Sequence, residues 1–269
     1  MHRIALLPML AMLFLVSSCK TDPNKEQSET APEDRAKIET SKPRLSEEAQ
    51  LLHDVVAAHG GERYKNAFYQ FTFRNRNYTF KNGPEGYTYT AKDTKDGIEI
   101  YDTLKNGVLT RTVNGSLTSF SDKDVAKYSE ALNSVIYFAT LPDKLQDKAV
   151  QKSFEGSTRI KGIPYQILGV RFTEEDGGTD FDDIFHYWIN EKTKTIDYLA
   201  YSYNTNGGGV RFRSAYHPRT VNGIRFQDYV NYKAPIGTPL KKLPALFEEG
   251  NLEVLSKIVT ENVISLNGD

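Results

Sequence analysis

Between Phe181 and Tyr232 the chain runs through one strand-like segment after another. Phe181-Asp-Asp-Ile-Phe-His-Tyr-Trp-Ile-Asn leads into the polar turn Glu191-Lys-Thr-Lys. Thr195-Ile-Asp-Tyr-Leu-Ala-Tyr-Ser-Tyr follows, and then runs at Val210–Tyr216 and Ile224–Tyr232. Aromatic and β-branched residues fill the runs and polar residues separate them, the signature of consecutive antiparallel hairpins. Val210, Phe212 and Tyr216 alternate with Arg211 and Arg213, which predicts one buried face and one wet face. Ile184, His186 and Trp188 alternate with Phe185, Tyr187 and Ile189. Both faces of that strand are apolar, so it is expected at the centre of a sheet, covered on both sides. A meander of this length must bury an apolar face against another layer, and the rest of the chain is read as that cover.

Upstream, a helix is predicted from Ser46. Glu47 and Glu48 suit its positive end, Leu51, Leu52, Val55 and Val56 form an apolar stripe, and Gly60-Gly61 closes it. His59 is read as serving the helix dipole and the turn rather than catalysis. Phe68–Phe80 reads as one long strand whose apolar phase shifts between Phe73 and Tyr78, which predicts a bulge or bend. Tyr87–Ala91, Ile98–Leu104 and Val108–Val113 are further strands, with hairpin turns at Asn106-Gly107 and Asn114-Gly115. Leu117–Phe120 closes this half. The period then changes. Ser121 and Asp124 make a capping-box-like pair. Val125, Tyr128, Leu132, Val135, Ile136 and Ala139 recur at helical spacing until Leu141-Pro142. A second set of strands begins near Phe154 and continues through Ile163–Thr173. After the meander, Leu240–Glu249 reads as a helical turn or two, and Leu252–Ile264 as a strand pair or one long bent strand.

The chemistry-bearing motifs are absent. The sequence has no Gly-x-Ser-x-Gly elbow, no His-Glu-x-x-His and no phosphate loop. Its single cysteine and five scattered histidines exclude an internal disulfide and argue against a metal site. A net charge of −1 gives no electrostatic case for nucleic acid. The acidic cluster Glu174, Glu175, Asp176, Asp180, Asp182 and Asp183 matches no calcium loop and is read as a solvated hairpin tip. The expectation is a protein without enzymatic activity, cofactor or metal, and a monomer.

The N-terminus has the three parts of an export signal over residues 1–18. His2 and Arg3 are followed by an apolar core from Ile4 to Val16, too short to span a bilayer, and by the small residues Ser17 and Ser18. Leu15-Val16-Ser17-Ser18-Cys19 resembles the lipobox of bacterial lipoproteins. That resemblance implies acylation of Cys19, each buried methylene contributing about 0.8 kcal/mol of membrane affinity. Residues 19–44 then form the lipidated cysteine and a polar tether, with Ile38 its one large aliphatic residue. Residues 45–269 are expected to be the folded domain.

The order of export signal, helix, strand meander, inserted amphipathic helix and second meander resembles the LolA/LolB-like lipoprotein-localisation superfamily. The strand-to-turn Trp188-Ile189-Asn190-Glu191-Lys192-Thr193 and the helix at 121–140 are its most suggestive pieces. The chain also resembles lipoproteins of Gram-negative envelopes that begin with a helix ending in His-Gly-Gly. The resemblance implies a mainly β (α+β) fold: a strongly curved antiparallel sheet forming an incomplete barrel, with helices covering its concave face. It implies an apolar cavity for an acyl chain, a lipid or lipoprotein cargo, and a membrane-anchored envelope location, with the outer membrane favoured. Side chains expected around that cavity are Phe73, Ile100, Val125, Tyr128, Leu132, Ile136, Leu168, Phe172, Trp188, Phe212 and Phe226. A structural or partner-binding envelope module without a ligand is the alternative.

Overall fold

The computed structural model describes residues 45–173 and 182–268. The export signal, Cys19 and the tether lie outside the described residues, as does most of the acidic cluster, from Glu174 to Asp180. One compact unit runs from Arg44 to Asp269.

Among the described residues, fourteen strands form two antiparallel sheets of seven, not closed into a barrel. The first is a meander of β1 (Phe68–Phe73), β2 (Arg76–Gly83), β3 (Gly86–Lys95), β4 (Ile98–Lys105), β5 (Val108–Val113) and β6 (Ser116–Thr118). The second is a meander of β7 (Val150–Ile160), β8 (Ile163–Phe172), β9 (Ile184–Asn190), β10 (Ile196–Tyr203), β11 (Gly209–Val221) and β12 (Ile224–Ala234). The C-terminal run divides between them. β13 (Glu253–Ile258) pairs with β12, and β14 (Glu261–Ser265) pairs with β1. Helix α1 (Glu47–His59) precedes the first sheet, α2 (Asp122–Ala139) joins the two, and the short α3 (Leu243–Glu248) follows β12. The expected class therefore holds, with the hydrogen-bond ladder divided into two sheets.

Phe68–Phe80 is a hairpin, not one bent strand. Arg74 (φ 50°) and Asn75 (φ 60°) form its tip. Two positive φ angles define the turn whose twist matches paired strands, and Asn tolerates that conformation better than most residues. The Asn-Gly turns at 106–107 and 114–115 have the same signs of φ, as expected.

Three apolar cores result. Sheet residues such as Phe71, Phe80, Tyr89 and Leu104 pack against Leu132 and Ile136 of α2, with Phe226 of β12 joining them. Leu51, Val55 and Val56 of α1 pack on Leu168, Tyr187 and Leu199, the face of the second sheet that also meets Tyr137 and Phe138. The opposite face of that sheet buries Tyr165, Trp188 and Phe212 under Leu240, Leu243 and Leu252. The interior strand β9, one place from the middle of its sheet, is thus covered on both sides, as its composition predicts. Trp188 and Phe212, however, turn away from α2: Tyr187 and Trp188 point to opposite faces because successive strand residues do, and the segment at 240–252 covers the second.

His59 is a core residue rather than a dipole partner. It is buried, its Nδ1 lies 2.8 Å from the Val55 carbonyl, and its Nε2 lies 3.5 Å from the Ile196 N–H. Burial lowers its pKa to about 4. The imidazole is therefore neutral and bridges α1 to β10, where desolvation outweighs any gain from the helix end.

Candidate functional site

Helix α2 is fixed to both sheets. Its start is capped as the spacing predicts, with Ser121 Oγ accepting from the Asp124 N–H at 3.2 Å. On the first sheet, the Arg111 guanidinium lies 3.7 Å from the Tyr128 ring and 5.2 Å from Phe120. Arg111 donates to both carboxylate oxygens of buried Asp102, at 2.5 and 2.9 Å, and Arg76 adds a third bond at 2.7 Å. On the second sheet, the hydroxyls of Tyr137 and Tyr187 are 2.6 Å apart.

Beside the C-terminal half of α2 lies a pocket of about 320 Å³. Phe71, Phe73 and Arg74 of the first hairpin form one wall, and Val135, Phe138 and Ala139 of α2 another. Tyr201 of β10, Arg213 of β11, and Gln227, Tyr229 and Asn231 of β12 line the second sheet's side, with Ile258 and Thr260 at the end of β13. Ser134 and Arg74 are exposed. Apolar and polar groups share this lining. The Arg213 guanidinium sits 3.9 Å from the Phe138 ring and 5.2 Å from Tyr201, and its Nη2 donates to the Tyr201 hydroxyl at 2.9 Å.

Among the side chains expected around a cavity, Phe73 lines this pocket. Val125, Tyr128, Leu132, Ile136 and Phe226 belong to the first-sheet core, and Leu168 and Phe172 to the α1 core. Ile100 is half-buried on β4, outside the three cores. Trp188 and Phe212 lie on the far face of the second sheet. Arg213 is the residue the alternation misplaces. It reads as the wet face of its strand, yet it is only 7% exposed. A charge in a strand is ordinarily solvated, and nothing local to 210–216 indicates that α2 closes over it.

A family model described as a family of unknown function, DUF6503, matches residues 41–261. The chain belongs to DUF6503. That span contains every residue lining the pocket, so the pocket is part of the DUF6503 domain itself. No curated protein matches the chain. Solved structures that align with this DUF6503 domain include the following three. One is a putative outer membrane lipoprotein-sorting protein domain from Vibrio parahaemolyticus, 7% identical over 81% of this chain and 92% of that one, with a TM-score of 0.45. A LolA superfamily protein from Nitrosomonas europaea is 9% identical over 71% and 88%, with a TM-score of 0.44. A DUF1329 family protein from Desulfovibrio piger is 10% identical over 81% and 92%, with a TM-score of 0.39.

Proposed function

We propose that this DUF6503 protein is an envelope lipoprotein that binds a hydrophobic ligand, a lipid or acyl chain, in the pocket beside α2, and that it is a binding protein rather than an enzyme. The supporting observation is the pocket itself: about 320 Å³, with an apolar wall of Phe71, Phe73, Val135, Phe138, Ala139 and Ile258 facing polar side chains that include Arg213, Gln227 and Asn231. Small-molecule sites have this make-up, and their volumes begin at about 300 Å³. The pocket opens beside α2, so a ligand need not displace the helix.

Lipid extraction or native mass spectrometry of the purified protein tests the reading. A stoichiometric acyl ligand is expected. Ser134→Trp, at an exposed position on the lining, should weaken binding of a fluorescent acyl probe at least about tenfold in Kd, or 1.4 kcal/mol, without lowering Tm. A purified protein free of lipid that also ignores the probe would leave the competing reading, a packed module for a protein partner.

The anchor is a separate proposal, carried by the Leu-Val-Ser-Ser-Cys sequence ending at Cys19. Cys19→Ala is expected to abolish palmitate labelling and release the protein from membranes. Persistent labelling in the variant would refute it.

A further inference from the structure

We infer that the pocket selects a single-chain amphiphile with an anionic head group, and that Arg213 binds that head group. The inference rests on reading the pocket as a ligand site.

The arginines of the two sheets are not treated alike. Arg111 and Arg76 share Asp102, and Arg219 pairs with Asp228. Arg213 is 7% exposed, and no carboxylate among the described residues lies within ion-pair distance of it. Its one hydrogen bond there goes to the Tyr201 hydroxyl, and its Nε is buried with no partner. Arginine cannot escape this cost by losing its proton. A buried, unmatched cation is expensive, and stacking on Phe138 and Tyr201 offsets only part of that. The missing element is an anion.

The surroundings fit one. Asn231 is directly paired with Arg213 across β11 and β12, so both side chains lie on one face. Its Oδ1 is also buried without a partner. Turning the amide over would present its N–H donors instead. Arg74 adds a second cation at an exposed point of the lining, and the lining contains no Asp or Glu. The guanidinium fork matches the two oxygens of a carboxylate or a phosphate. Phe71, Phe73, Val135 and Ile258 supply apolar wall for a chain. A volume of about 320 Å³ lies at the small end of ligand pockets, which suits one acyl chain rather than several.

The test is calorimetric titration of the purified protein with four one-chain probes: oleate, 1-oleoyl lysophosphatidate, methyl oleate and oleyl alcohol. At least one of the two acids is expected to bind about tenfold or more tightly than both neutral probes, the factor carried by one charge-assisted hydrogen bond. The better acid identifies the head group as carboxylate or phosphate. Arg213→Met should erase the preference, keep the neutral probes' affinity, and raise the Tm of the ligand-free protein, because it removes an unmatched charge. Arg213→Lys, which keeps the charge and loses the fork, should retain part of the preference. Neutral probes binding wild type as tightly as the acids would overturn the head-group assignment and leave the hydrophobic-ligand reading standing. Failure of all four probes would overturn both.

Discussion

Asp102→Ala is expected to cost about 3–5 kcal/mol of folding stability. The carboxylate is almost fully buried, with its side chain 3% exposed, and it receives three hydrogen bonds from Arg76 and Arg111. Removing it strands two guanidinium groups, one of them in a side chain only 11% exposed. The same change loosens Arg111 from the Tyr128 ring, so the effect should reach α2. Chemical denaturation measures it, and a loss of a few tenths of a kcal/mol would show that water reaches the triad. Adding Arg111→Met should recover much of the loss, since an apolar replacement of a buried ion pair is often neutral or better.

Stability is also expected to fall steeply below pH 6.5. Burial, the largest cause in both cases, holds His59 and His186 near a pKa of about 4, against an ordinary value of 6.5. Between these values the unfolded chain binds protons that the folded protein refuses. The stabilisation is therefore complete above about pH 6.5 and is lost as pH drops toward 4. At pH 5 the loss is about 2 kcal/mol for each histidine. For a domain of this size, the pair should lower Tm by roughly 8–16 °C. Protonating His59 would aim an N–H at the Ile196 N–H, two donors face to face. Burial raises the pKa of Asp143, which acts in the opposite sense. The comparison is therefore between wild type and the His59→Gln/His186→Gln variant, followed by circular dichroism from pH 7.5 to 5. Equal slopes for the two proteins would contradict the assignment.

What the sequence revealed, it revealed through period and capping. Helix α2 is legible because its apolar residues recur every three or four positions behind a Ser-x-x-Asp start, and each signal is local. The two-sided burial of β9 is legible because all of Ile184–Ile189 is apolar or aromatic. The hairpin tip at Arg74-Asn75 was hidden because it lacks the glycine that usually marks a positive φ. The face on which Trp188 sits was hidden for a different reason. Alternation separates the two sides of a strand without saying which layer covers which side. The pocket was least legible. Its residues come from distant strands and one helix, and Arg213 looks like solvent-facing charge until α2 is placed over it. Phe73 lines the pocket, yet nothing in the sequence of its strand separates it from the aromatic residues that pack into closed cores.

The run through β13 and β14 has a consequence for the order in which the molecule is built. Asn267 accepts a hydrogen bond from the Phe68 N–H, 199 residues earlier, and Tyr69 pairs with Ser265. The first strand of the domain therefore keeps an unpaired edge until β14 arrives. Contacts this distant in sequence close late, since the intervening chain must be ordered before they form. During that interval β1 is a template for any other extended chain. A deletion that removed β14 would remove little apolar surface, yet it would leave that template permanently open, and self-association rather than unfolding would be its first symptom.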